Sequence, residues 1–344
     1  MKNIPLNGLD FIEYASPKPH DLENLFYKLG FIKTAQHNKK NVTLYQQGDC
    51  QFVINKEESS FAEDFMKQRN SPCVSSIGFR VDIPATKALE IASSRGAKAV
   101  EVDSSHSFPA IYGVGGSLIY FVDDYHKEDN HWIKQFSFNS KLSKDPYLLL
   151  IDHLTNNVPT GDMNHWCEFY SKIFGFTERR YFDIKGLKTG LLSKVMKSPC
   201  DSISIPINEP SADERGKKSQ IQEYLDEYQG AGIQHIAFLT KKIIPTIEYL
   251  RQRGLFFLDT PSSYYDMLKE RLPIVKEDVK DLKRNQILAD GDEETYLLQI
   301  FTKNVIGPIF FEVIERHGHE GFGEGNFQAL FDAIERDQIT RGYL

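Results

Sequence analysis

Residues 234–240 read QHIAFLT, and residues 75–81 read SSIGFRV. Both are strand-like, and Ile77 and Phe79 stand where the second copy has Ile236 and Phe238. Each runs into an amphipathic helical stretch ending in Arg-Gly, PATKALEIASSRG (84–96) and KKIIPTIEYLRQRG (241–254). The correspondence extends outward in both directions. Upstream, LDFIEYASPKPHDLENLFYKLGFIKTAQH (9–37) parallels IDHLTNNVPTGDMNHWCEFYSKIFGFTERRYF (151–182). Both predict strand, loop, helix, a Gly-Phe turn and a second strand. Leu25, Phe26 and Leu29 give one helix its apolar stripe, and Trp166, Phe169, Tyr170 and Ile173 the other. Gly30 and Gly175 fall where a helix end favours glycine. Downstream, LIYFV (118–122) parallels IFFEV (309–313). The chain is therefore expected to be an α+β duplication, its first half near 1–145 and its second near 146–344, each with two strand–helix–strands modules.

The copies differ where chemistry would sit. Aligned in this way, Phe11 faces His153, Ser76 faces His235 and Phe121 faces Glu312. One half reads as a site and the other as its inert copy. Taken singly, each residue has a plainer reading. A histidine in an apolar strand is more often a hydrogen-bonded core residue than a ligand. A glutamate between Phe311 and Val313 needs a partner, and Arg316 is the nearest cation in sequence. Glu315 points to the opposite face by strand alternation. Taken together, two imidazoles and one carboxylate at repeat-equivalent places match the facial triad of non-haem Fe(II) oxygenases, which leaves coordination positions open. A single carboxylate leaves net positive charge on a divalent ion and favours an anionic 2-oxo acid. The separations match no short zinc pattern, so spacing alone does not name the metal. His165, early in its helix, reads as surface or capping, and His317 and His319 as a loop His-Gly-His run with a surface role.

Composition narrows the classes further. The 344 residues are 40% hydrophobic and 26% charged, which supports a packed core and excludes global disorder. The net charge of -7 offers no basic footprint for nucleic acid. No apolar run reaches the length of a membrane span, and MKNIPLNGLDF lacks the apolar core of a secretory signal. Cys50, Cys73, Cys167 and Cys200 are widely spaced without a CxxC, which predicts reduced thiols in a cytoplasmic protein. GFGEG (321–325) lacks GxGxxG spacing, and there is no P-loop, HExxH or GxSxG. After that glycine-rich hinge, Phe327, Leu330, Phe331 and Ile334 predict a helix with one apolar face, suited to core packing or to a lid over an aromatic pocket.

GAGIQHIAFLT (230–240), LLQIFTK (297–303), GPIFFEVIER (307–316) and GFGEGNFQALFDAIERDQ (321–338) together resemble the bacterial type of the 4-hydroxyphenylpyruvate dioxygenase family. KSQIQEYL (218–225), IPINEP (205–210), IDHLTNNV (151–158) and LDFIEYASP (9–17) agree, so the resemblance covers nearly the whole chain in order. It implies a vicinal-oxygen-chelate fold, with two tandem domains of paired βαβββ modules forming open barrels. It implies one Fe(II) per subunit, held by His153, His235 and Glu312. Carried over motif by motif, it makes Ser193, Asn208, Gln220 and Gln234 the polar set around substrate. Gln299 becomes a supporting or contacting amide, Phe301 and Phe310 pocket walls, and Phe322 and Phe327 the clamp on an aromatic ring. Asn326 lies in the same lid motif, and Glu324 stands where many plant and animal members carry lysine. The implied reaction converts 4-hydroxyphenylpyruvate and O2 to homogentisate and CO2 in tyrosine catabolism, and homogentisate oxidises to brown pigment. The implied assembly is a homo-oligomer, dimer or tetramer, with no nucleic-acid or membrane partner. Three rivals stay open: 4-hydroxymandelate synthase, an extradiol dioxygenase, and a non-catalytic binding protein on the same fold.

Overall fold

The computed structural model describes residues 3–101, 108–185, 190–211 and 219–326. Two eight-stranded sheets carry the chain. The first holds β1 (Leu6–Ala15), β2 (Ile32–His37), β3 (Val42–Gln47), β4 (Cys50–Asn55), β5 (Cys73–Val81), β6 (Ala110–Tyr112), β7 (Leu118–Val122) and β8 (Phe136–Phe138), in the order β6-β7-β5-β1-β4-β3-β2-β8. The second holds β9 (Leu150–Asn157), β10 (Thr177–Lys185), β11 (Gly190–Lys197), β12 (Ser204–Pro210), β13 (Gly232–Leu239), β14 (Leu288–Gly291), β15 (Tyr296–Phe301) and β16 (Phe310–His317), in the order β10-β11-β12-β9-β13-β16-β15-β14. In each sheet the two modules meet as an antiparallel pair at the centre, β1 with β5 and β9 with β13. Each central strand is flanked by a parallel partner that closes its module, β4, β7, β12 and β16 respectively.

Helices α1 (Pro19–Lys28), α2 (Phe61–Arg69), α3 (Ala85–Ser94), α4 (His131–Gln135), α5 (Met163–Phe174), α6 (Gln220–Tyr228) and α7 (Ile243–Gln252) follow the repeat. α5 buries Met163, Cys167, Tyr170, Ile173 and Phe174, a stripe at helical spacing, and Gly175 ends it at φ +79°. Gly30 does the same after α1 at φ +87°. The sheet faces turned away from the cavities pack on each other through Phe52, Phe238 and Phe311, with Phe52–Phe238 centroids 5.8 Å apart. Phe79 meets Phe174 of α5 at 5.4 Å. The largest apolar cluster therefore runs unbroken through both halves, from Ile4 to Val313.

The register corrects one expected equivalence. Ser76 pairs with Leu118 and Gly78 with Tyr120, just as His235 pairs with Phe310 and Ala237 with Glu312. Tyr120, not Phe121, therefore occupies the place of Glu312. Phe121 points to the other face and packs on Phe174 at 6.2 Å. A one-residue slip exchanges the two faces of a strand, and the short apolar run LIYFV offers no internal mark to prevent it.

Candidate metal centre and substrate cavity

His153 on β9, His235 on β13 and Glu312 on β16 come from three adjacent strands, and their ligand atoms all lie within 4.8 Å of one another. His153 Nε2 is 3.2 Å from Glu312 Oε2, His235 Nε2 is 3.6 Å from the same oxygen, and the two Nε2 atoms are 3.4 Å apart. Both Nδ1 atoms are already engaged. His153 Nδ1 donates to Asp152 Oδ1 at 2.9 Å and His235 Nδ1 to Gln234 Oε1 at 3.1 Å. An acceptor on Nδ1 fixes the tautomer that presents a bare Nε2 to a metal.

Two register shifts produce this pairing of neighbours. Ile233 faces Asn156 while His235 faces Thr155, so Gln234 is an extra residue in β13. Ala237 faces His153 while Phe238 faces Ile151, so Asp152 is an extra residue in β9. A bulge turns two consecutive side chains towards one side of a strand. Here each histidine gains its own preceding residue as the acceptor for its Nδ1.

The electrostatics of the metal-free triad follow from burial and charge. Burial pushes His153 down, but Glu312 and Asp152 outweigh it and raise its pKa to about 9. Burial, with the charge on His153, holds His235 well below the usual range. Burial pushes Asp152 up, and the Arg316 guanidinium more than reverses this, holding the carboxyl well below its ordinary value. Arg316 thus pairs with Asp152 rather than with Glu312, through two contacts of 2.7 Å. Glu312 is 2% exposed, and its Oε1 has no hydrogen-bond partner among the described residues. A buried carboxylate oxygen left bare beside two imidazoles fits a divalent cation, and the donor set of two nitrogens and one oxygen fits iron.

A cavity opens at the triad. Its walls alternate along the strands: Phe182 and Ile184 on β10, Leu191, Ser193 and Val195 on β11, Pro206 and Asn208 on β12. Thr155 also lines it, its Oγ1 2.9 Å from His235 Nε2. Gln220 enters from the first turn of α6, and Gln234 from the bulge. Phe310 stacks on His235 at 4.9 Å and 19°, Phe301 stands across Phe310 at 6.2 Å, and Phe322 meets His153 edge-on at 5.1 Å. Of the residues expected from sequence, Ser193, Asn208, Gln220, Gln234, Phe301, Phe310 and Phe322 line the cavity.

Gln299 and Asn326 do not line it. Gln299 is fully buried beneath Gly323, against which its amide packs in a contact a Cβ would block, and both its amide atoms lack partners among the described residues. Asn326 accepts a hydrogen bond from Tyr264 at 2.6 Å in the turn Glu324–Asn326. Phe327 and the helix expected over 327–334 lie outside the described residues. Glu324 accepts the N–H of Phe322 at 3.1 Å. His165 is exposed on α5. His317 closes β16 rather than lying in a loop, stacked on Tyr296 at 4.2 Å and 3.0 Å from Glu315. Glu315 faces away from the triad and accepts the first N–H of α7 at 2.6 Å. Thr155, Phe182, Ile184, Leu191, Val195 and Pro206 were missed, although Leu191, Val195 and Pro206 stand two residues from Ser193 and Asn208, the spacing that puts side chains on one strand face.

The first half has a matching cavity without the triad. Phe11, Glu13, Tyr120 and Trp132 line it, and Glu13 Oε2 accepts from Ser75 at 2.8 Å and Ser76 at 2.7 Å. Among the described residues, the three groups with metal-ligand spacing all lie in the second sheet's half.

This fold and this site define the glyoxalase and dioxygenase class. The family description "Glyoxalase/Bleomycin resistance protein/Dioxygenase superfamily" matches residues 150–287, and "Hydroxyphenylpyruvate dioxygenase, HPPD, N-terminal" matches residues 2–139. The chain is 44% identical to a 4-hydroxyphenylpyruvate dioxygenase of Legionella pneumophila (strain Corby), over 98% of this chain and 97% of that protein. It is 45% identical to Protein MelA of Shewanella colwelliana, over 99% and 98%. The structure of a mutant 4-hydroxymandelate synthase from Streptomyces coelicolor shares the fold, with TM-score 0.83 and 24% identity over 97% of this chain and 100% of that one. The chain belongs to the 4-hydroxyphenylpyruvate dioxygenase family.

Proposed function

We propose that the chain is an Fe(II)-dependent dioxygenase that converts 4-hydroxyphenylpyruvate and O2 to homogentisate and CO2. The observation that carries this reading is the buried Glu312 carboxylate in an aromatic-walled cavity, its Oε2 against the Nε2 atoms of His153 and His235 and its Oε1 without a hydrogen-bond partner among the described residues. In this reading the half near 1–145 offers no metal-ligand group among its described residues, and the half near 146–344 carries the site.

His153, His235 and Glu312 would hold one Fe(II) per subunit. The iron, when bound, supplies Lewis-acid chelation of a 2-oxo acid and activation of O2. The chain supplies binding, orientation and dryness. One ligand carboxylate leaves the site net positive, which suits an anionic 2-oxo acid. Phe301, Phe310 and Phe322 provide the ring surfaces for an aryl group. Gln234 spends its carbonyl on His235, so its NH2 group remains to donate to substrate. Asn208, anchored on Asn157 at 3.3 Å, and Ser193 and Gln220 add polar contacts further along the cavity. Ile184, Leu191, Val195 and Pro206 keep the walls apolar and exclude water from the reacting end. The unpaired cysteines among the described residues support a reducing, cytoplasmic setting, and the family supports a homo-oligomer, dimer or tetramer.

The test is anaerobic loading with Fe(II), then 4-hydroxyphenylpyruvate and air, with O2 uptake followed and products identified by mass and NMR. Homogentisate with one CO2 per O2 is expected. 4-Hydroxymandelate would move the function to the synthase on the same fold. A protein that held no stoichiometric iron would be a binding protein instead.

A further inference from the structure

Arg316 lies on β16 four residues beyond Glu312 and touches two things at once. Its Nε and one Nη each donate to an oxygen of Asp152 at 2.7 Å. Its other Nη donates to the carbonyls of His319 at 2.9 Å and Gly321 at 2.6 Å. The first edge grips the carboxylate that orients His153. The second grips the turn that leads into Phe322, whose ring closes over His153. The guanidinium carbon itself lies 5.7 Å from the centre of the Phe322 ring. The Arg316 side chain is 20% exposed and that of Asp152 11%, so these bonds are made largely out of water.

We propose that Arg316 is a positioning residue that couples metal ligation by His153 to the seating of the 319–322 turn over the cavity. This rests on the reading of His153 as a metal ligand. The guanidinium is suited to the task because its donors form a rigid planar fork, able to hold a carboxylate bidentately on one edge and carbonyls on the other. Lysine carries the same charge but cannot span both partners. When the turn is seated, Asp152 is fully paired and holds the His153 ring with Nε2 towards Glu312. When the turn leaves, the fork loses two acceptors, and the grip on Asp152 is no longer fixed in direction. Coupling of this kind is reciprocal, so metal on His153 firms the turn in return.

The test compares the full chain with Arg316→Lys, Arg316→Gln and Asp152→Asn, each checked for folding by its melting curve. Metal affinity is read by anaerobic Fe(II) titration against a chelator. Seating of the turn is read as the rate of cleavage after the exposed Glu320 by a glutamyl endopeptidase, with and without metal. KM and kcat are followed separately, with O2 consumed per product formed. Arg316→Lys is expected to lose severalfold in metal affinity, less than Arg316→Gln, while the turn is cut faster, KM rises severalfold and O2 use outruns product. Arg316→Gln and Asp152→Asn are expected to lose about 10–100-fold in metal affinity, the range for removing an orienting partner of a ligand histidine. Metal should slow cleavage after Glu320 in the wild type and not in Asp152→Asn. If Arg316→Lys matches the wild type in cleavage and KM, or if metal leaves the cleavage rate of the wild type unchanged, the coupling is refuted while the metal site stands. If the wild type binds no Fe(II), the coupling falls together with the reading beneath it.

Discussion

At the scale of single residues, the triad makes two measurable demands. Glu312→Ala removes the only carboxylate of the donor set, so Fe(II) should raise the melting temperature of the wild type and leave that of the variant unmoved. Full metal-dependent stabilisation and turnover in Glu312→Ala would overturn the ligand assignment. The second demand concerns protons. In the metal-free chain His153 titrates near pH 9 and His235 stays neutral, so between pH 7 and 9 a metal must displace one proton, the one on His153. Apparent affinity should then climb about tenfold per pH unit across that window and level off above it, with one proton released per metal by calorimetry in buffers of different ionisation heat. A flat pH profile would show that His153 is already neutral. The triad was legible in the sequence because His153 and His235 stand where the repeat copy has Phe11 and Ser76, although Glu312 was set against Phe121 where the register places Tyr120. The acceptors on the two Nδ1 atoms were not. Asp152 and Gln234 share their strand faces with the histidines only because of bulges, and nothing in the local residue pattern announces an extra residue in a strand.

At the scale of elements, the cavity depends on where helices and strands stop. Gln220 reaches the cavity because α6 begins there, and Ser219 caps that beginning by accepting the N–H of Gln222 at 3.2 Å. Ser219→Ala should cost about 1 kcal/mol of stability in denaturant unfolding, the usual loss for an N-cap, and raise KM by loosening Gln220. An unchanged KM would separate Gln220 from substrate. The order of elements was readable from the repeat, and so were the glycine stops after α1 and α5, because a left-handed residue at a helix end has a clear glycine signature. Register was less so. The strand holding Tyr120 and Phe121 is apolar on both faces, since one face meets the cavity rings and the other the core, and such a strand carries no alternation to fix its phase. The apolar cavity walls on β10 and β11 escaped notice for the same reason. Leu191 and Val195 look like ordinary core until Ser193 between them is seen to line the cavity.

At the scale of the whole molecule, the two halves share one core. Arg69 at the end of α2 donates to Gly115 in its own half and to Ala231 in the other, with its guanidinium 3.7 Å over Phe65 and 5.0 Å from Tyr228. Arg95, which follows α3, donates to the carbonyl of Ile173 at 2.6 Å. With apolar contacts running unbroken from one sheet to the other, the metal-free chain should unfold in a single calorimetric transition. Two resolved transitions would mean that the halves hold their own cores.

Tyr120 standing opposite Gly78, where the other half sets Glu312 opposite Ala237, also fixes the arithmetic of saturation. If the triad alone takes the metal, the chain should saturate with a single equivalent and trace a hyperbola. A sigmoid response to metal would then point to coupling between chains.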